Sequence, residues 1–177
     1  MTDATHWAHA ARWGRTYQKT RIPEGPSAWT RLGPERRRRL VKACWIVNQT
    51  LLVGGWFDPR LHLVLVGFCV AHALLFLGLV GFRPLVFPAQ LRLSFLALIA
   101  AGVFVPGMQP TLMVPTLGGF ALLLAGYCPL ARILYLLPWN RTHALTPELA
   151  LRVFLQKPAP GRFEVRPAEL GTAAQPA

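Results

Sequence analysis

From Leu61 to Phe82 the chain reads LHLVLVGFCVAHALLFLGLVGF, twenty-two residues without an Asp, Glu, Lys or Arg. A helix of that length rises roughly 33 Å, which matches a bilayer hydrocarbon core of about 30 Å. A soluble helix would show a polar face at the helical period, and the non-aliphatic residues here, His62, Cys69 and His72, form no such stripe. The segment is therefore predicted to be a transmembrane helix, and the rest of the chain is placed relative to it.

Three more apolar stretches flank it. The first runs from about Leu40 to Phe57, is short, and holds Asn48, Gln49 and Thr50 at its middle; Asp58, Pro59 and Arg60 then turn the chain back. A Pro-containing connection, Arg83 to Gln90, leads to a third span from about Leu91 to Val105, and the PGMQP segment makes the next turn. The fourth is expected from about Thr111 to Cys128, with Pro115 in an early turn and Gly118-Gly119 allowing close helix approach. Pro129 should bend the chain at the end of that span, and Leu130 to Leu137 reads as an interfacial extension closed by Pro138 and Trp139. Thr146-Pro147-Glu148 is a helix start, with an N-cap hydroxyl, Pro at the first helical position and an acid in the first turn. The helix it opens leaves Leu149, Leu151, Val153, Phe154 and Leu155 in need of cover by a membrane surface or a partner.

The predicted fold class is an all-α integral membrane protein, with four transmembrane helices arranged as two antiparallel hairpins between basic cytoplasmic tails. Its parts are a basic tail at 1–39, a first hairpin at 40–86, a second hairpin with its interfacial end at 87–141, and a C-terminal tail at 142–177 containing the amphipathic helix 147–156.

Charge supports that topology. The 177 residues carry a formal net charge of +12, and ten of the nineteen Lys and Arg fall in the first forty-two residues, with six from Arg132 onward. Four spans with both termini inside place eighteen of them, Arg83 and Arg92 included, on the cytoplasmic side of a bacterial inner membrane and leave only Arg60 outside. Arg36 to Arg39 with Leu40, Val41 and Lys42 fits a twin-arginine export pattern, but no A-x-A cleavage site is present after it and a span begins at once, so the run is a positive-inside anchor. Because the basic residues flank spans, topology and anionic lipid explain them without nucleic acid.

The N-terminal segment mixes Trp7, Trp13, Tyr17 and Trp29 with Arg12, Arg15 and Lys19 in a basic tail that is expected to be mostly disordered alone or to lie on lipid headgroups or a partner. His6 and His9 share a helical spacing but lack a third ligand, and no metal site is expected. Cys44, Cys69 and Cys128 are odd in number and sit in apolar segments, which indicates neither a disulfide framework nor a zinc site.

VGFRPL at 80–85 and AGYCPL at 125–130 lie forty-five residues apart and each closes a hairpin, which suggests an internal repeat. The run AGYCPLARILYLLPWNR resembles the end of the small inner-membrane hairpin domain of YgaP-type proteins, where it often comes after a rhodanese sulfurtransferase domain. The resemblance is best over 89–141; 37–86 looks like a diverged copy with Arg83 in the place of the Cys. It implies a small bacterial membrane domain linked to sulfur chemistry or to self-association. Neither tail is long enough for a rhodanese domain and neither holds a Cys, so sulfurtransferase activity does not carry over.

Chemistry in the spans centres on two residues. His72 lies mid-helix, where an ionisable group is a functional candidate. The hairpin brings Asn48, Gln49 and Thr50 to its depth, so Asn48 or Gln49 can hydrogen-bond a neutral His72 as helix packing. The alternative is axial ligation of a tetrapyrrole, haem or bacteriochlorophyll, by His72. The AH within VAHALLFL resembles antenna polypeptides of purple photosynthetic bacteria, though the distance to Arg83-Pro84 departs from that pattern. Cys128, near Arg132 at the expected interface, is either a packing residue or a reactive thiol. Phosphate-loop, HExxH and GxSxG motifs are absent and none of the seven acidic residues lies within a span, so no enzyme is expected. Three functions remain open to such a chain: a non-catalytic accessory or scaffold subunit that packs against a larger membrane complex or itself, a small carrier or channel for a sulfur species, and a pigment- or haem-binding subunit.

Overall fold

The computed structural model describes residues 27–140 and 145–155, which form helices and turns with no strand among them. His6, Trp7, His9, Arg12, Trp13, Arg15, Tyr17 and Lys19, together with the tail from Gln156, lie outside the described residues.

The folded unit begins before the first apolar stretch. Helix α1, Ala28–Arg31, is opened by a capping box in which Ser27 accepts from the Thr30 N–H and Thr30 accepts from the Ser27 N–H. Its Trp29 is buried against Phe76, with ring centroids 5.4 Å apart. Arg37 holds the end of this turn, donating from Nε to Leu32 O at 2.6 Å and from a terminal nitrogen to Thr30 O at 2.8 Å. One arginine of the Arg36–Arg39 run is thus a structural clasp.

Helix α2 spans Pro34–Gly54, six residues earlier at its start than the apolar stretch alone predicts, because Pro at the first position and Glu35 behind it make a favourable start. Phe57 falls in the next turn, where Asp58 Oδ1 accepts from the Arg60 N–H at 3.0 Å. Helix α3 is Arg60–Leu79 and stops three residues short of Phe82, because Gly81 and Phe82 both take left-handed backbone angles. Helix α4 is Phe87–Phe104; Pro88 in its first turn needs no amide partner, so the helix takes in Gln90 and Arg92, which the sequence places at or before its edge. A 3-10 turn, Gln109–Leu112, leads into α5, Met113–Ala125, which ends on the left-handed Gly126. Helix α6, Pro129–Tyr135, leaves at 100° to the preceding segment, as Pro129 predicts, and α7 is Pro147–Leu155.

Helices α3 and α4 are long and apolar enough to cross a membrane, and the bent α5–α6 pair is a third candidate if it counts as one span. Helix α2 has the length but carries Arg36–Arg39 and Lys42 in its first half. Helix α3 packs on α2 and α4, and α5 closes against α2.

The polar residues of α3 do form a stripe. His62, Leu65, Cys69, His72, Ala73 and Phe76 are its buried positions, recurring at intervals of three and four, while Leu63, Val64, Leu74 and Leu75 face out. The stripe is easily missed because it alternates with apolar residues and points inward, the reverse of a soluble helix.

Glycine sets the closest helix contacts. A Cβ on Gly119 would overlap Gln49 Oε1, and one on Gly55 would overlap the His62 ring, whereas Gly67 faces open space. Gly→Ala ordinarily gains helix propensity of about 1 kcal/mol. Gly119→Ala should instead destabilise by about 1–3 kcal/mol by pushing the buried Gln49 amide off the Thr116 carbonyl, while Gly67→Ala should be neutral or stabilising. Thermal unfolding of both variants in one detergent checks the contrast, and equal behaviour would remove the α2–α5 contact as the cause.

Candidate functional site

The mid-bundle cluster is built from α2 and α3. Asn48 and His72 are both buried, with Asn48 Nδ2 3.1 Å from His72 Nδ1 and the Cys69 thiol donating to Asn48 Oδ1 at 3.2 Å. With its oxygen taken by the thiol, the amide nitrogen donates to Nδ1, which places the ring proton on Nε2. Asn48 therefore holds two positions one turn apart on the neighbouring helix.

Of the four residues expected to cluster, only these two meet. Gln49 is buried but points to α5, donating to Thr116 O at 2.9 Å beside Gly119. Thr50 faces outward and donates to Ile46 O at 2.9 Å. Consecutive helical residues point about 100° apart, so three in a row cannot share one face. Trp56 extends the Gln49 contact, its Nε1–H donating to Thr116 Oγ1 at 3.3 Å.

Aromatic rings enclose the imidazole. Trp45, Phe68 and Phe76 lie with centroids 5.9, 5.9 and 5.2 Å from that of His72, two of them edge-on. His72 Nε2 and Trp45 Nε1 are buried and make no hydrogen bond. Because Nε2 is buried, a tetrapyrrole there would require the side chains around it to move.

Arg92 is the buried residue that sequence reasoning missed. It is 1% exposed, its Cζ lies 3.7 Å from the Phe76 ring centroid, and a terminal nitrogen donates to Pro88 O at 2.7 Å. Cation–π contact and the carbonyl of the preceding turn offset part of the cost of burying the charge. The available signal was Pro88: a helix starting at Phe87 puts Arg92 beyond its first turn and on the face of Phe95 and Ile99.

A second polar cluster lies where α4 begins. Gln90 Oε1 accepts from Trp139 Nε1 at 3.2 Å and from Asn140 Nδ2 at 2.7 Å, and Asn140 Nδ2 also donates to Leu134 O at 2.8 Å. Trp139 and Asn140 thereby tie the turn after α6 to the start of α4.

Cys128 is buried at the start of α6, where its sulfur accepts from the Ala131 N–H at 3.4 Å. The Arg132 guanidinium covers the Tyr127 ring at 4.2 Å and donates to Val153 O of α7, and the Tyr127 hydroxyl donates to Phe154 O at 3.1 Å. Together they cap carbonyls at the C-terminus of α7, where a cation also suits the helix dipole. At the other end Thr146 Oγ1 accepts from the Leu149 N–H at 3.1 Å. The Glu148 backbone amide and the Thr146 hydroxyl hold the Glu148 carboxyl below its usual range.

Among the described residues no three His, Cys, Asp or Glu side chains converge as a metal site. No family model, curated protein or solved structure matches the chain.

Two measurements test these contacts. In a double-mutant cycle, Asn48→Leu and His72→Leu should show a coupling of about 0.5–1.5 kcal/mol, the range for hydrogen bonds between membrane helices; additive effects would mean that the pair contributes only packing. Arg132→Met should release α7, raising amide exchange over residues 147–155 at least tenfold while exchange in α3 stays unchanged.

Proposed function

We propose that the protein is a four-span integral membrane protein of the bacterial inner membrane with both termini cytoplasmic, and that it serves as a non-catalytic accessory or scaffold subunit packing against a larger membrane complex or itself. In this arrangement α2 enters the bilayer beyond Lys42, with the arginines of its first turns at the headgroups, and the bent α5–α6 pair is the fourth span with its interfacial end. The left-handed Gly81 and Gly126, at matching places in VGFRPL and AGYCPL, support reading the two hairpins as copies of one unit. The contacts of Trp139 and Asn140 with Gln90 join the closing Pro-Trp-Asn segment to the start of α4, as a self-contained second hairpin needs.

One observation carries the reading. The two buried amides of α2 are spent inside the bundle, Asn48 on His72 and Cys69 and Gln49 on Thr116, while the outward Thr50 bonds its own helix. Polar groups used this way hold helices together, and the outer faces of α2, α3 and α5 remain for lipid and for a partner.

Purification in mild detergent should yield a colourless protein with stoichiometric membrane partners or as a homo-oligomer, and Cys128→Ser should leave that assembly unchanged. A Soret or near-infrared band lost in His72→Leu would overturn the reading in favour of a pigment or haem subunit. Monomeric protein whose sulfur uptake in vesicles depends on Cys128 would move it to the carrier class.

A further inference from the structure

Helix α7 has three faces. Leu149 and Val153 are buried against Tyr135 and Leu136. Glu148 and Arg152, four apart, form a narrow polar strip. Leu151, Phe154 and Leu155 form the third face and are exposed, Leu151 at 62% and Leu155 at 77%. A nine-residue helix that places a second apolar face outside its own docking contact is built to touch two apolar environments at once.

Charge identifies the second one. Trp29 and Arg92 both meet Phe76, Asn140 meets Gln90 and Arg132 of α6 meets α7, so the start of α2, the α3–α4 connection, α6 and α7 share one end of the bundle. That end exposes Arg31, Arg36, Arg38, Arg39, Lys42, Arg83 and Arg152 against the acids Glu35 and Glu148, while the other end has Arg60 beside Asp58. The surface ion pair of Arg38 with Glu35, at 3.9 Å, leaves most of this charge facing outward. An exposed apolar helix face at the rim of a strongly basic end matches one surface: a leaflet of anionic phospholipid. The α5–α6 bend of 100° turns the chain across the bundle end, and the Arg132 and Tyr127 contacts fix α7 there.

We infer that α7 and the surrounding basic residues form a docking surface for anionic phospholipid, with Leu151, Phe154 and Leu155 immersed in the leaflet and Arg152 and the Arg36–Arg39 run at its headgroups. This goes beyond the accessory-subunit reading and rests only on its membrane placement. It assigns the outer face of α7 to lipid, which leaves a protein partner the faces of the spans.

The full chain is reconstituted in bilayers of phosphatidylcholine alone or mixed with phosphatidylglycerol, carrying a nitroxide at Leu155→Cys, at Arg152→Cys or, as a membrane control, at Val64→Cys. Accessibility to oxygen reports immersion and accessibility to a water-soluble nickel chelate reports exposure. The expected result is oxygen access at 155 and chelate access at 152, with immersion at 155 several-fold stronger in the anionic bilayer. Combining Arg36→Gln, Arg38→Gln and Arg39→Gln should abolish that preference while circular dichroism stays unchanged. Chelate access at 155 in both bilayers overturns the proposal, and so does a nitroxide at 155 shielded from both reagents, which would place a protein over the face. Equal immersion in the two bilayers overturns the role of charge. Chelate access at the Val64 position separately identifies failure of the membrane placement itself.

Discussion

A polar side chain in the middle of an apolar helix has no water to fall back on, so its hydrogen-bond partner decides which helix must lie beside it. Asn48 and Gln49 make that decision twice from one turn of α2. Asn48 reaches α3 through His72 and Cys69, and Gln49 reaches α5 through the Thr116 carbonyl. Because the two side chains diverge by about 100°, α2 is held between two neighbours. Gly119 lets α5 come close enough for the second contact.

The same logic organises the end of the bundle where the charges lie. Side-chain donors there bond backbone carbonyls: Arg37 those of Thr30 and Leu32, Arg92 that of Pro88, Asn140 that of Leu134 and Arg132 that of Val153. Residues read in a sequence as membrane-topology charges therefore divide into two groups. Exposed ones such as Arg36, Arg38 and Arg39 face outward, and buried ones such as Arg92 and Arg132 stitch turns and helices together. Aromatic faces accompany the second group, Phe76 under Arg92 and Tyr127 under Arg132, lowering the cost of burial where water is excluded.

The proposed function depends on this use of polarity. In a carrier or a cofactor protein some of these groups would remain directed at an open path, whereas here the His72 ring is enclosed by Trp45, Phe68 and Phe76 and the Cys128 sulfur accepts a backbone amide. The outward surface is apolar on the spans and on α7, and basic at one end. Those are the surfaces available for lipid and for association.

Apolar run length, prolines and glycines by themselves determined the helical class, the turn at Asp58 to Arg60, the bend at Pro129 and the start of α7, because each depends on neighbours along the chain: backbone angles, capping groups and total hydrophobicity. The pairing of Asn48 with His72 was also legible, since an antiparallel hairpin fixes relative depth. The direction of each side chain around its helix was less so: Thr50 and Gln49 left the expected cluster, and the inward stripe of α3 was hidden among equally apolar outward residues. Only the tertiary structure decided that Arg92 is buried on Phe76, that Trp29 folds back onto α3, and that Arg132 reaches across to the Val153 carbonyl of α7. These contacts join residues far apart in the chain, and a sequence pattern carries the preference of a residue for burial but not the identity of the group that will meet it.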